Sequence, residues 1–234
     1  MKKIIVAACM AAVLLLTALA GCSSGSSSST AASDASSSTS APADNDKKVL
    51  TIAQGGDITT FDMQNHNNGV TGAVLCNFSH GLVERADEDN AWVCVLAKSY
   101  EMIDDSTWEF KLRDDVTWHN GDPFTAADVK YTYERAATDE SLAENHIFKV
   151  IKEVQIIDDY TVRFATDGPY PTLLSLLSKN GSQVMPSKYI EENGLDYYLE
   201  HPIGCGPYQF KEWVKDNVVV LERYDDYFGG TPIH

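Results

Sequence analysis

The central part of the chain alternates between apolar and polar side chains in a way that predicts a β-strand. Trp108, Phe110 and Leu112 are separated by charged residues, so one face of an extended segment is apolar and the other is polar. The same alternation continues after an Asp-Asp turn through Val116 and Trp118. We therefore expect a strand with one buried face, followed by a second extended segment.

A corner from strand to helix is predicted immediately after Trp118, in the stretch WHNGDPFTAADVKYTYERA. Asn120-Gly121 is a strong turn signal. Thr125 and Asp128 have the spacing of a capping box, and Phe124 is placed to pack against Val129 as a hydrophobic staple. The helical face that follows is formed by Val129, Tyr133 and Ala136.

Further helices and strands are predicted on both sides of this corner. VLTIA (residues 49–53) predicts a short strand, followed by a polar loop and a helix whose apolar positions are Val74, Leu75, Phe78 and Leu82. A hairpin is predicted around Asp158-Asp159. Two proline-led helices follow in PTLLSLLSK and PSKYIEENGLDYYL, and PIGCGPYQFKEW and DNVVVLERYDDYF predict a Gly-rich loop and two strands. The fold class is α/β, with mixed helices and strands.

The first 48 residues are different in character. Residues 1–21 combine two lysines with an apolar run, which is typical of a secretory signal. The sequence Leu19-Ala20-Gly21-Cys22 resembles the lipobox of bacterial lipoproteins, which implies a lipid on Cys22; an uncleaved anchor is the alternative. Residues 22–48 are Ser-rich with almost no large apolar side chain, so we expect a disordered tether. Residues 49–234 form the folded body.

Charge and cysteine content narrow the possible partners. The formal net charge is −16, and removing the two lysines of the signal leaves 16 basic and 34 acidic residues, or −18. This argues against nucleic acid, because phosphate binding requires a basic surface. Outside the signal and Cys22, three cysteines remain. A Cys76–Cys94 disulfide is one alternative, but buried free thiols, including Cys205, are favoured.

His119 has no role in the turn or the cap, which leaves two interpretations. The favoured one is a hydrogen-bonded structural histidine at the end of a strand. The alternative is a metal-dependent hydrolase that uses His119, Asp122 and His146. No H-E-x-x-H, G-x-S-x-G, Walker loop or zinc-spaced cysteine pair supports catalysis. We therefore predict no catalytic residue, no metal site and no cofactor.

Four stretches resemble the extracytoplasmic solute-binding proteins of ABC importers, in the peptide, dipeptide and nickel group (family 5). They are ITTFDMQ, LAKSYEMIDDSTWEFKLRDDVTWHNGDPFTAADVKYTYER, PIGCGPY and YDDYFGGTP. Cys205 stands where the family commonly has threonine, and Met63 where it has proline. The structural signature carried over to this chain comprises Trp118, His119, Asn120, Gly121, Phe124, Thr125, Asp128, Gly204, Gly206 and Pro207.

The resemblance implies a class II periplasmic-binding-protein-like fold, in which two lobes close on a solute and relatives continue well beyond position 234. We therefore expect only the first lobe in this sequence, as a C-terminally truncated half. The resemblance also implies a lipid-anchored monomer at the cell surface, more readily of a Gram-positive bacterium than in a Gram-negative periplasm. It would capture peptides for a permease and an ATPase.

Ligand contacts are carried over to the loop Asn67, Asn68, Gly69 and Val70, with the alternative that this loop is only a turn into a helix. A weaker candidate is His146, in the segment after the signature helix. Nickel, haem or another solute could replace the peptide, and the chain could be a non-functional fragment. A surface protein outside transport, such as an adhesin, is a further alternative.

Overall fold

A computed structural model describes residues 48–86 and 91–232, and within these ranges helices and strands are mixed as expected. The predicted signal of residues 1–21, Cys22 and residues 22–47 of the predicted tether lie outside the described residues. The helices are α1 (Gly69–Phe78), α2 (Ala126–Thr138), α3 (Asn145–Phe148), α4 (Leu173–Leu177), α5 (Ser187–Asn193) and α6 (Leu195–Glu200). The strands are β1 (Val83–Arg85), β2 (Trp92–Cys94), β3 (Ala97–Asp104), β4 (Thr107–Leu112), β5 (Ile151–Asp158), β6 (Thr161–Thr166), β7 (Tyr208–Val214) and β8 (Val218–Arg223).

The largest sheet is antiparallel and has the strand order β3-β4-β6-β5. The predicted alternation holds in β4, where Trp108, Phe110 and Leu112 are buried and the residues between them are more exposed. Phe110 is opposite Val162 and Trp108 is opposite Phe164 across the β4–β6 pair. The predicted hairpin turn joins β5 to β6. The apolar faces of the two central strands therefore form one side of a core.

Helix α2 packs on this sheet through the face that the sequence predicts. Val129, Tyr133 and Ala136 are fully buried. The Tyr133 ring lies 5.1 Å from that of Phe164 in an edge-to-face arrangement, and its hydroxyl donates to the Ser182 carbonyl at 2.7 Å. The buried tyrosine thus satisfies its polar atom while its ring fills the core.

A second cluster of buried side chains joins α1, α5 and α6 to the ribbon of β7 and β8. Phe61 is at its centre, with ring centroids 5.4 Å from Phe78, 5.0 Å from Phe210 and 6.0 Å from Trp213. Tyr198 of α6 is fully buried in the same cluster. This cluster fixes the segment that leads into α1, where the predicted ligand contacts lie.

Three predictions about elements were wrong. VLTIA forms no strand; Val49, Leu50 and Ile52 are 83%, 62% and 70% exposed, because no described strand pairs with them. Helix α1 begins at Gly69, earlier than the apolar spacing suggested, because Asn68 caps it there. It ends at Phe78, so Leu82 lies outside the helix. Gly194, with φ of +91°, divides the last predicted helix into α5 and α6.

The three cysteines of the described region are free thiols. Cys205 is buried, as predicted, and burial raises its pKa to about 11. Cys76 is exposed and Cys94 is half-buried, so the prediction of buried thiols was wrong for Cys76, which lies on the outer side of α1. Across residues 48–86 and 91–232, we find no helix with the length and apolar character needed to cross a bilayer.

Candidate functional site

The stretch from Trp118 to Asp128 forms a tight turn that leads into α2. The Trp118 amide donates to the Asp122 carbonyl and the Gly121 amide donates to the Trp118 carbonyl, both at 2.8 Å. Gly121 has φ of +86°, a conformation that glycine adopts without steric cost. The Phe124 amide then returns to the Val116 carbonyl at 3.1 Å. The corner is therefore held by backbone hydrogen bonds.

Asp128 connects this corner to two other elements. Its Oδ2 accepts from the Thr125 amide at 2.9 Å, within the capping box, and from Trp118 Nε1 at 3.3 Å. Its Oδ1 accepts from the amide and the hydroxyl of Ser187 at 2.8 and 2.7 Å. Burial raises the pKa of Asp128, and these four donors act in the opposite direction. All its contacts are structural, and they join the turn, α2 and α5.

His119 is a hydrogen-bonded structural histidine, as the favoured interpretation of the sequence predicted; its partners were not predicted. The Gly204 amide donates to its Nδ1 at 3.0 Å, so the ring proton is on Nε2, which donates to the Gly206 carbonyl at 3.0 Å. The ring also packs against Phe78 and Tyr224, with centroids 5.4 and 4.8 Å away. Burial lowers the pKa of His119 to about 4, which keeps the ring neutral. His119 therefore joins the corner to the Gly-rich loop.

The Gly-rich loop approaches α1 so closely that only glycine fits. A Cβ on Gly204 would lie 2.0 Å from the Phe78 carbonyl oxygen, and a Cβ on Gly206 would lie 2.6 Å from the Phe78 carbonyl carbon. The Gly206 amide donates to the same oxygen at 2.9 Å. Pro207 follows, and its carbonyl accepts from the Tyr224 amide at 2.9 Å.

The four predicted ligand contacts lie at the start of α1: Asn67 and Asn68 precede the helix, whereas Gly69 and Val70 are its first two residues and not loop. Asn68 caps this helix, because its Oδ1 accepts from the amides of Val70 and Thr71 at 2.8 and 3.2 Å. Asn67 and Gly69 are exposed, and no atom lies within 4 Å of a Cβ built on Gly69. The turn interpretation therefore accounts for Asn68, and ligand contact stays a prediction for the four residues.

His146 lies apart from the corner, at the second position of α3. Its ring is exposed, and Nδ1 forms a hydrogen bond of 2.9 Å with the Ala143 carbonyl. Asp122, the remaining member of the hydrolase hypothesis, accepts from Lys188 and Asn120 at 2.8 Å each. Among the described residues, no three His, Cys, Asp or Glu side chains form a group that could hold a metal ion.

A buried polar cluster lies behind the loop, and sequence analysis did not predict it. Arg135 of α2 donates to both oxygens of Asp62, at 3.0 and 2.7 Å, and to Gln64 Oε1 at 2.8 Å. Gln64 Nε2 donates to the Thr132 carbonyl at 2.7 Å. Asp62 and Gln64 belong to ITTFDMQ and Arg135 to the signature helix. No local pattern pairs residues more than 70 positions apart.

The chain matches a known protein family and is similar to curated proteins. The family model described as "Bacterial extracellular solute-binding proteins, family 5 Middle" matches residues 91–233. The glutathione-binding protein GsiB of Pectobacterium atrosepticum is 30% identical over 188 residues, which cover 79% of this chain and 36% of that protein. The chain thus spans about a third of the length of the curated relatives it matches.

Solved structures of solute-binding proteins have the same fold. MoaA of A. tumefaciens R10, in complex with mannopinic acid, is 30% identical with a TM-score of 0.70, over 76% of this chain and 37% of that one. AppA of Bacillus subtilis, in complex with a nonapeptide, is 26% identical with a TM-score of 0.67, over 76% of this chain and 36% of that one. The described fold corresponds to part of a periplasmic-binding-protein structure.

Proposed function

The chain belongs to the bacterial extracellular solute-binding proteins of family 5, and from this premise we propose that it captures peptides outside the cell for an ABC importer. The observation that supports this most directly is the similarity to a glutathione-binding protein over 79% of the chain. The nonapeptide complex of a relative with the same fold supports the same ligand class. A permease and an ATPase of the importer would be the partners, with no bond chemistry at the receptor.

The segment Asn67–Val70, at the start of α1, is the part of the described chain that we propose to contact the solute. It is exposed at Asn67 and Gly69, and its position is fixed because Asn68 caps α1. Such a combination suits recognition, since exposed backbone groups can bind a peptide while a rigid helix holds them in place. The second lobe of relatives would complete the site.

Calorimetry with the purified full chain in mild detergent tests the ligand class. We expect heat on titration with glutathione or with Ala-Ala, and none with glucose as a control. The nickel–histidine chelate is the competing ligand. Heat from this chelate, with none from either peptide, would contradict peptide capture and favour the nickel alternative.

We also propose that Cys22 carries a lipid and that residues 22–48 hold the body away from the membrane. The support is the signal-like sequence of residues 1–21 and its lipobox-like end. In cells that express the full chain, metabolic labelling with an alkyne fatty acid should mark the wild-type protein. Cys22→Ala should remove the label, whereas Ser23→Ala should retain it. Equal labelling of wild type and Cys22→Ala would refute the assignment.

A further inference from the structure

Four Asn-Gly dipeptides occur in the chain, and they begin at Asn68, Asn120, Asn180 and Asn193. An asparagine before a glycine is chemically labile. Because glycine has no Cβ, its backbone nitrogen can approach the side-chain carbonyl carbon of the asparagine and attack it. The attack requires a backbone nitrogen that is free to lose its proton. The four sites therefore differ in reactivity according to what each glycine amide contacts.

Three of the four glycine amides already donate hydrogen bonds, so attack by their nitrogens would first break a bond. The acceptors are the Trp118 carbonyl for Gly121 at 2.8 Å, Gln183 Oε1 for Gly181 at 2.9 Å and the Ile190 carbonyl for Gly194 at 2.8 Å. Gly181 is also buried, with the side chain of Glu144 against it. These contacts protect three of the dipeptides.

The Gly69 amide is different, because it donates no hydrogen bond within the described residues. Gly69 is the first residue of α1 and is exposed, so solvent base can reach its N–H. The first amides of a helix lie at the positive end of its dipole, which favours loss of a proton there. The nucleophile of the fourth dipeptide is therefore available.

The side-chain carbonyl of Asn68 is held where negative charge is stabilised. Its Oδ1 accepts from the amides of Val70 and Thr71 at 2.8 and 3.2 Å. When a nucleophile adds to Cγ, this oxygen becomes an oxyanion, and fixed N–H donors stabilise such charge. Asn120 Oδ1 also accepts from a backbone amide, that of Asp122. There, however, the Asp122 carboxylate contacts Asn120 Nδ2 at 2.8 Å, and its charge opposes a developing oxyanion.

We propose that Asn68 is a site of spontaneous deamidation in which water is the co-reactant. The Gly69 nitrogen gives its proton to solvent base and bonds to Asn68 Cγ. The Cγ–Nδ2 bond breaks, and Nδ2 takes a proton from solvent and leaves as ammonia. Water then opens the cyclic imide at either carbonyl. Opening at Cγ gives aspartate, and opening at the main-chain carbonyl gives isoaspartate, whose backbone is longer by a methylene group.

The two products differ in their effect on α1. Aspartate caps a helix as asparagine does, and its negative charge is favourable at the helix N-terminus. Isoaspartate carries its carboxylate on a lengthened main chain, so the helix start loses the geometry of its cap. Either product adds a negative charge to the segment Asn67–Val70. The modification would therefore change the surface that we propose for the solute, although the reaction itself does not depend on that proposal.

Mass spectrometry of the full chain, incubated in mildly alkaline buffer, follows all four dipeptides in one sample. Digestion under mildly acidic conditions stops the reaction. We expect Asn68 to convert at least about tenfold faster than each of the other three asparagines in the folded chain. Fragmentation should find both aspartate and isoaspartate at position 68, since direct hydrolysis would give only aspartate. In urea, where the protecting contacts are lost, the four rates should agree within about threefold.

Gly69→Pro removes the attacking N–H and keeps the helix start. Proline is favoured at the first helical position, and the extended backbone of Asn68, with φ of −96° and ψ of 125°, suits a following proline. Conversion at Asn68 should stop, while the other three rates stay as in wild type. If thermal unfolding shows that this variant does not fold, Gly69→Ala replaces it. The added Cβ meets open space and should slow the conversion at least about fivefold.

Three results would each overturn the proposal. The first is conversion of Asn68 no faster than that of another Asn-Gly site in the folded chain. The second is the same lead for Asn68 in urea, because the structure would then not be its cause. The third is unchanged conversion at Asn68 in the folded Gly69 variant, because the backbone nitrogen would then not be the nucleophile.

Discussion

Two buried histidines, one at the corner and one before α1, differ in what their polar atoms contact. Both have a pKa lowered by burial, so both are held neutral. His119 uses both ring nitrogens to join backbone groups of two glycines, whereas His66 uses neither within the described residues. The comparison indicates that the corner is built for stability. At His66, the two unpaired ring nitrogens instead lower stability.

Glycine substitutions should give the largest difference in stability between the two regions. Gly204→Ala places a Cβ 2.0 Å from the Phe78 carbonyl oxygen, which neither backbone can avoid without moving. We expect a loss of about 4 kcal/mol in the free energy of unfolding. Gly69→Ala, in the other region, meets open space and should change stability by less than about 1 kcal/mol. Urea unfolding checks both, and equal effects would contradict the close approach.

Removing the bonded histidine should have the next largest effect. His119→Ala leaves the Gly204 amide and the Gly206 carbonyl without partners, so we expect a loss of about 3 kcal/mol. His146→Ala is the control, because that ring is exposed, and it should cost no more than about 0.5 kcal/mol. A cost for His119→Ala close to that of the control would mean that its two hydrogen bonds contribute nothing net.

Lowering the pH should reduce the free energy of unfolding, because the buried neutral histidines resist protonation in the folded chain. The pKa of His119 is about 4 in the folded chain, whereas an unperturbed histidine has a pKa of about 6.5, so the unfolded chain binds more protons between these values. Stability is then fully present above pH 6.5 and falls with pH, by about 2 kcal/mol at pH 5. Urea unfolding at pH 7 and pH 5 measures it. His119→Asn should show a smaller loss, and an identical loss would refute this assignment.

The smallest change is expected at the unsatisfied histidine. His66→Phe removes two buried nitrogens without partners and keeps a ring of similar size, so stability should stay within about 1 kcal/mol of wild type or rise slightly. Thermal unfolding measures the difference. A loss as large as that of His119→Ala would mean that His66 is bonded in solution, and the contrast between the two histidines would disappear.

Local signals predicted the parts of the fold that depend on neighbours in sequence. The alternation of β4, the Asn-Gly turn, the capping box and the buried face of α2 each require only a few adjacent residues. The VLTIA prediction failed because a strand also needs a partner, and residues 49–53 have none in the described chain. β-propensity alone does not create a ladder.

The candidate site was less predictable because its contacts join distant segments. His119 bonds residues 85 and 87 positions away, and Arg135 reaches Asp62 across 73 positions. Sequence patterns identified His119 as a residue without a local role, which was the only available signal. Nothing in the pattern separated His66 from an ordinary loop residue, since its burial depends on segments distant in sequence, such as that of Glu144.

The position of Cys205, between Gly204 and Gly206, has a practical consequence for the rate at which its thiol can be labelled. Its thiol is completely buried and its pKa is about 11, so a thiol-reactive reagent can modify it only when the Gly-rich loop separates from α1. Cys76 is exposed, so a reagent reaches it without such an opening; because burial raises the pKa of this thiol too, the two rates are compared after correction for the thiolate fraction of each. The ratio of the two labelling rates would therefore measure the free energy of local opening at this junction, without any introduced probe.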